Sequence, residues 1–134
     1  MAYEDITYEL NGGVGLLTLN RPERLNAARP RTALEIVDVL EQAARSDETR
    51  VMVVTGAGRG FCAGADLITR PSPEDAELVE TTGYRRVKEG AIGHWGVMFS
   101  LLGHFPKPLI AAVNGVAAGA GLSLALAADI RLAS

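Results

Sequence analysis

Two short apolar runs, VMVVT at 51–55 and PLIAAV at 108–113, each pass directly into a glycine- and alanine-rich segment. The first continues as GAGRGFCAGADL (56–67) and the second as NGVAAGAGLSLALAAD (114–129). Short aliphatic runs bounded by glycine read as buried parallel strands, and parallel strands need crossover helices between them. The small residues that follow suit a place where backbone comes close to other backbone or to a ligand. For GAGRGFCAGADL three readings stand open: a cradle for nucleotide phosphate, an oxyanion site made of N–H groups, or a turn.

The rest of the chain predicts an α/β class. ITYEL and VGLLTL flank the turn NGG as two strands, and RPERLNAARP is a loop bounded by Pro22 and Pro30. Thr32 and Glu35 have the spacing of a capping box, and Leu34, Ile36, Val37, Leu40, Ala43 and Ala44 mark a helical face ending near Ser46. Ser72 as N-cap, then Pro73, Glu74 and Asp75, predicts a second helix start. Helix continues, with breaks near Gly83, Gly90 and Gly93, through WGVMFSLLGHF. KPLIAAVNG is a buried strand, GLSLALAA a helix, and IRLAS the beginning of a last strand. Alternation of strand and helix implies parallel pairing. Because GLSLALAA is apolar on nearly every face, it predicts cover on all sides, from further chain or from partners.

Composition narrows the classes. The 134 residues suffice for one domain, and a net charge of -3 argues against a general nucleic-acid partner. No stretch reaches the roughly 18 apolar residues of a membrane span. MAYEDITYEL lacks the order of a signal peptide, and the single cysteine, Cys62, excludes an internal disulfide. Together these predict a cytoplasmic location. Arg21, Arg24, Arg29 and Arg31 form a local basic cluster, either a solvated loop or a landing place for a small polyanion.

Gly58, Gly60 and Ala63 satisfy the G-x-G-x-x-A spacing of a dinucleotide fingerprint. Yet glycine and Asp66 stand where its helix should run, and no acidic residue closes a next strand. A P-loop would need G-K-[ST], which is absent, and a nucleophile elbow would need glycine on both sides of Ser123, where Ala125 stands on the far side. His94 and His104 have no partners at metal-ligand spacing, so no metal is expected. The two glycine-rich segments remain. Each runs from strand towards helix and offers N–H donors without internal partners, which suggests a two-donor oxyanion hole. Close packing of helix on sheet is the competing reading.

Three blocks, LNRPERLNA (19–27), GRGFCAGADL (58–67) and PKPLIAAVNGVAAGAGLSLALAADIRLAS (106–134), together resemble the enoyl-CoA hydratase/isomerase (crotonase) superfamily. The resemblance implies an α/β crotonase-like ββα spiral, with residues 1–134 as its N-terminal core and the closing C-terminal helices beyond this chain. It implies an acyl-CoA thioester as ligand, no separate cofactor, a thioester enolate held by two N–H groups, and a homo-oligomer, a trimer or dimer of trimers. Residue by residue, the donors fall on Ala63 and Ala120, with Gly119 and Gly121 beside the second. Arg24, Leu25 and Ala27 would flank the nucleotide and pantetheine, while Ala63, Gly64, Ala65, Asp66 and Leu67 would line the adenine and thioester side. On this reading the arginine cluster receives the coenzyme A phosphates.

Two departures from the family pattern matter. Ser123 stands where its hydratases carry a glutamate for acid–base work on water, and the second acidic residue would fall past Ser134. A hydroxyl cannot replace a carboxylate without an activating base, so isomerase-type proton transfer is favoured over hydration. The length between Asp66 and Pro106, with AAGAG, is more like the ring-opening isomerase branch of phenylacetate breakdown. His94, Trp95, Met98 and Phe99 would shape an acyl pocket there, or be plain core. The alternative is a non-catalytic acyl-CoA-binding or assembly subunit that lacks the acid and base.

Overall fold

The computed structural model describes residues 2–69, 72–81 and 94–134. Five strands form one sheet in sequential order: β1 (Ile6–Asn11), β2 (Val14–Leu19), β3 (Val51–Gly56), β4 (Leu109–Val113) and β5 (Ile130–Ala133). The first pair is antiparallel, with Ile6 opposite Leu19, and closes through Gly12 and Gly13 at φ 57° and 84°. Left-handed backbone of this kind is what a tight hairpin turn requires. Strands β2 to β5 are parallel, in the registers Leu17–Val54, Met52–Leu109 and Ile110–Ile130.

Between the parallel strands lie α1 (Pro30–Arg45), α2 (Pro73–Thr81), α3 (His94–Gly103) and α4 (Ala120–Leu126). The helix starts show which local signal dominates. Helix α1 begins at Pro30 rather than at Thr32, because proline is pre-set for the first helical position. Thr32 instead reaches back, its Oγ1 accepting the Arg29 N–H at 3.0 Å. Glu35 leaves the cap altogether and accepts the Glu4 and Asp5 N–H groups, each at 2.9 Å. At α2 the expectation holds, since the Asp75 N–H donates to Ser72 Oγ at 3.0 Å. The predicted breaks at Gly83, Gly90 and Gly93 lie outside the described residues.

One apolar cluster joins the sheet to its helices. Leu17, Leu19, Met52, Val54, Leu109 and Ala111 meet Ala33, Ile36, Val39 and Leu40 of α1, Met98 and Leu102 of α3, and Leu124 and Ala125 of α4. The strands were expected to be covered on both sides, yet Val51, Val53 and Thr55, which alternate with the buried residues of β3, are half-buried. Helix α4 buries Gly121, Leu124 and Ala125, whereas Leu122 and Leu126 are 48% and 60% exposed, as are Ile130 at 52% and Leu132 at 63%. The cover predicted for this helix is therefore not supplied by the described residues.

Leu17 is fully buried and Leu67 is 93% exposed, so the two positions separate core from surface. Leu17→Ala is expected to cost about 2–5 kcal/mol in urea unfolding. Leu67→Ala is expected to change it by about 0.5 kcal/mol or less.

Candidate functional site

Loop 21–28 leaves β2 through a single 3-10 turn, Pro22–Arg24, and then turns sharply at Leu25 and Asn26, whose φ values are 49° and 56°. Left-handed backbone is unfavourable for a non-glycine residue and persists only when surroundings hold it. Asn26 provides that hold. Its buried side chain accepts the Arg21 N–H at 2.8 Å through Oδ1, and its Nδ2 donates to the Ala57 and Gly60 carbonyls, both at 2.9 Å. Asn114, after β4, reaches the same turn from the other side, donating to the carbonyls of Gly56, Gly58 and Gly60 at 2.8, 3.0 and 3.2 Å. Sequence reasoning missed both asparagines. The available signal was that asparagine tolerates left-handed backbone and can satisfy several buried peptide groups at once.

Segment 62–66 runs between loop 25–28 and the 116–118 segment like a short extra strand. On one side the Ala63 N–H donates to the Leu25 carbonyl at 3.0 Å, the Ala28 N–H to the Gly64 carbonyl at 2.8 Å, and the Asp66 N–H to the Ala28 carbonyl at 2.7 Å. On the other side the Cys62 N–H donates to Val116 at 2.9 Å, and the Ala118 N–H to Cys62 at 3.1 Å. Ala28 and Ala65 thus form a parallel bridge, as do Cys62 and Ala117. In the first bridge the flanking Gly64 C=O and Asp66 N–H make the bonds, so the N–H of Ala65 itself points away from loop 25–28.

This register corrects one expectation. The Ala63 N–H is committed to Leu25 and is not free to donate elsewhere. Among the described residues, the N–H groups of Gly64, Ala65, Gly119 and Ala120 are among those with no backbone acceptor; Ala120 is the first residue of α4, before intrahelical bonding begins. The two segments lie in contact. Gly64, at φ 113°, passes so near the segment leading into α4 that a β-carbon would sit 3.0 Å from the Ala118 carbonyl oxygen and 3.7 Å from its carbon. A β-carbon at Gly121 would overlap the Cys62 carbonyl oxygen. The packing reading of the glycines holds: the Gly64 backbone lies against Ala118 and Gly119, and that of Gly121 against Cys62.

The arginine cluster is mostly spoken for, contrary to the expectation that it receives phosphates. Arg21 pairs with Asp66 at 3.0 Å and donates to the Ala27 carbonyl. Arg29 grips Asp5 at 2.7 and 2.8 Å, and Arg31 pairs with Asp75 and with Glu4 at 3.2 Å. Arg24 alone of the four is exposed and has no paired carboxylate among the described residues. Leu25 and Ala27 are half-buried on the loop, while Ala63, Ala65 and Leu67 are exposed. Asp66 is a structural acceptor rather than a base. The Thr69 N–H, the Ile68 N–H and Arg21 outweigh partial burial and hold its carboxyl well below the usual carboxylate range.

The remaining predicted residues divide similarly. Met98 is buried in the core, with Trp95 and Phe99 packed against it, which favours the core reading over an acyl pocket. The side chain of His94 lies outside the described residues. Ser123 is exposed, and its hydroxyl donates to the Gly119 carbonyl at 3.3 Å. Cys62 is buried, and desolvation pushes its thiol pKa up, which leaves little of the nucleophilic thiolate. Among the described residues, no His, Cys, Asp or Glu group could hold a metal ion, and no helix is long and apolar enough to cross a membrane.

These environments set a pH dependence. Asp66 is held low, and so is Asp75, where hydrogen bonds from Arg31 and Ser72 outweigh burial. Each contributes stability that is complete above the unfolded aspartate value of about 4 and is lost as pH falls through its lower folded value. Buried Glu35 acts oppositely: its pKa is raised, so its share is present below the unfolded glutamate value and lost as pH rises through the folded one. Urea midpoints are expected to fall between about pH 4.5 and pH 2.5, and Asp66→Asn to flatten that fall. Iodoacetamide at about pH 7.5 should label Cys62 slowly in the folded protein and rapidly in urea.

The comparisons with known proteins concern the family and the fold. The family model described as enoyl-CoA hydratase/isomerase matches residues 9–134. The chain is 42% identical over 137 residues to 1,2-epoxyphenylacetyl-CoA isomerase of Escherichia coli K12, covering 98% of this chain and 48% of that protein. It is 36% identical to (E)-benzylidenesuccinyl-CoA hydratase of Thauera aromatica, covering 96% and 46%. Among solved structures, an enoyl-CoA hydratase from Mycobacterium avium subsp. paratuberculosis superposes with a TM-score of 0.78 at 32% identity, covering 99% of this chain and 48% of that one. The chain spans about half the length of the curated relatives it matches. With its strand order, its paired glycine-rich segments and a family match from residue 9 to residue 134, the chain belongs to the enoyl-CoA hydratase/isomerase family and has its α/β crotonase fold.

Proposed function

We propose that the protein to which this chain belongs binds an acyl-CoA thioester and stabilises its enolate, with the N–H groups of Ala65 and Ala120 as the two oxyanion donors. The observation that carries this reading is that Ala65 and Ala120 each offer an N–H group without a backbone acceptor, on two segments packed against each other. A donor held in place before the reaction costs nothing to reorganise when charge develops, and each contributes about 3–4 kcal/mol in the transition state. Ala120 opens a helix, where proline is tolerated, so Ala120→Pro deletes one donor with little disturbance. It is expected to lower kcat by about 100- to 1000-fold, with KM changed far less, in a steady-state assay of the whole enzyme.

Arg24 is the cation of loop 21–28 that remains available for the coenzyme A phosphates. Arg24→Ala is expected to weaken acetyl-CoA binding by about tenfold in calorimetry, as loss of one charged hydrogen bond does. No cofactor beyond the coenzyme A of the substrate is needed for this chemistry.

Isomerase-type proton transfer or ring opening on an acyl-CoA is favoured over addition of water. Ser123 carries no carboxylate, and Asp66 is locked to Arg21 and two backbone N–H groups. The likeness to an epoxyacyl-CoA isomerase points the same way. The whole protein should leave crotonyl-CoA unhydrated, and Ser123→Glu should confer hydration, followed by loss of absorbance of the conjugated thioester. Rapid hydration by the unaltered protein overturns the preference. A second reading, an acyl-CoA binder without turnover, is favoured by the lack of an acid or base at Ser123. It predicts coenzyme A binding with no conversion of any enoyl-CoA or epoxyacyl-CoA.

A further inference from the structure

We propose that the Arg21–Asp66 ion pair is a positioning clamp that sets the direction of the Ala65 N–H, so that Arg21 and Asp66 serve the oxyanion site through geometry. This rests on the reading of Ala65 as an oxyanion donor. Asp66 adjoins Ala65, and its N–H and both carboxylate oxygens are engaged. Its N–H donates to the Ala28 carbonyl at 2.7 Å, Oδ1 accepts the Ile68 and Thr69 N–H groups at 3.0 and 2.9 Å, and Oδ2 takes Arg21 at 3.0 Å. Arg21 is itself nearly buried, with 8% exposed; its Nη1 donates to the carbonyl of Ala27, and its Nε lies 3.9 Å from the Asp5 carboxylate. One planar cation thus joins loop 21–28 to the segment that carries Ala65, on the side opposite the free N–H.

Two features make this more than a surface ion pair. The guanidinium fork fixes direction as well as distance, which a lysine ammonium does not. Ala65 is also exposed, so no side-chain packing of its own holds its peptide plane. The bonds on its two neighbours do so instead. Loss of the pair loosens loop 21–28 against the segment, and with it the bond from the Ala28 N–H to the Gly64 carbonyl that sets the Gly64–Ala65 peptide plane. Small misalignment of a preorganised donor is costly in the transition state and cheap in ground-state binding.

The test uses butyryl-CoA labelled with 13C at its carbonyl, bound to the protein, with the carbonyl stretch read by infrared difference spectroscopy beside the Kd from calorimetry. Donors at the thioester oxygen lower that stretch. In the unaltered protein a downshift is expected. Asp66→Asn, which keeps an acceptor for Ile68 and Thr69 but removes the charge facing Arg21, is expected to lose about half the downshift or more while Kd changes by about threefold or less. Arg21→Lys is expected to retain more of it than Arg21→Met, and it carries the same test if Asp66→Asn does not fold. A full downshift in folded Asp66→Asn or Arg21→Met overturns the clamp and leaves the oxyanion reading standing. No downshift in the unaltered protein, with butyryl-CoA bound, overturns the oxyanion reading and the clamp with it.

Discussion

The backbone hydrogen bonds that lay segment 62–66 between loop 25–28 and residues 116–118 are the interaction on which the rest of this structure depends. They join three stretches far apart in sequence at one end of the parallel sheet. Peptide groups bond at about 3 Å only when side chains do not intervene. This explains the small residues better than any motif does: β-carbons at Gly115 and Gly121 would overlap the carbonyl oxygens of Arg59 and Cys62. The same bonds decide which N–H groups are used and which are left over.

Around this backbone frame lies an ionic one. Asp5, Asp66 and Asp75 come from the first strand's approach, the glycine-rich segment and α2, and each meets an arginine from the loop or the first turn of α1. Buried or partly buried charges of this kind are costly unless paired, so their chief effect is to specify where the loop sits. Glu35 joins the frame by accepting two N–H groups of the N-terminal segment rather than capping its own helix. Loop 21–28 is therefore held by charge through Arg21, and Arg24 is left exposed.

Much of the fold was legible locally. The hairpin at NGG, the strands at 51–55 and 109–113, the Ser72 cap and the short helix after the second glycine-rich segment all follow from turn chemistry, periodicity and helix-start preferences. The site was legible only as a neighbourhood. Ala63 and Ala65 are both alanines beside Gly64, and nothing local tells which N–H is spent; the register against Leu25 and Ala28 does. Likewise, four arginines close in sequence look alike until their carboxylates, tens of residues away, are in place.

By itself the sequence determined the class of this protein: alternating strand and helix signals, and two small-sided strand exits that suit close approach of backbone to backbone or to a ligand. Those are properties of neighbouring residues, governed by sterics and solvation along the chain. Tertiary structure alone decided which peptide N–H groups remain unpaired and which cations remain free. Hydrogen bonds and ion pairs are consumed by partners distant in sequence, so the groups left available for chemistry are known only once every other pairing has been made.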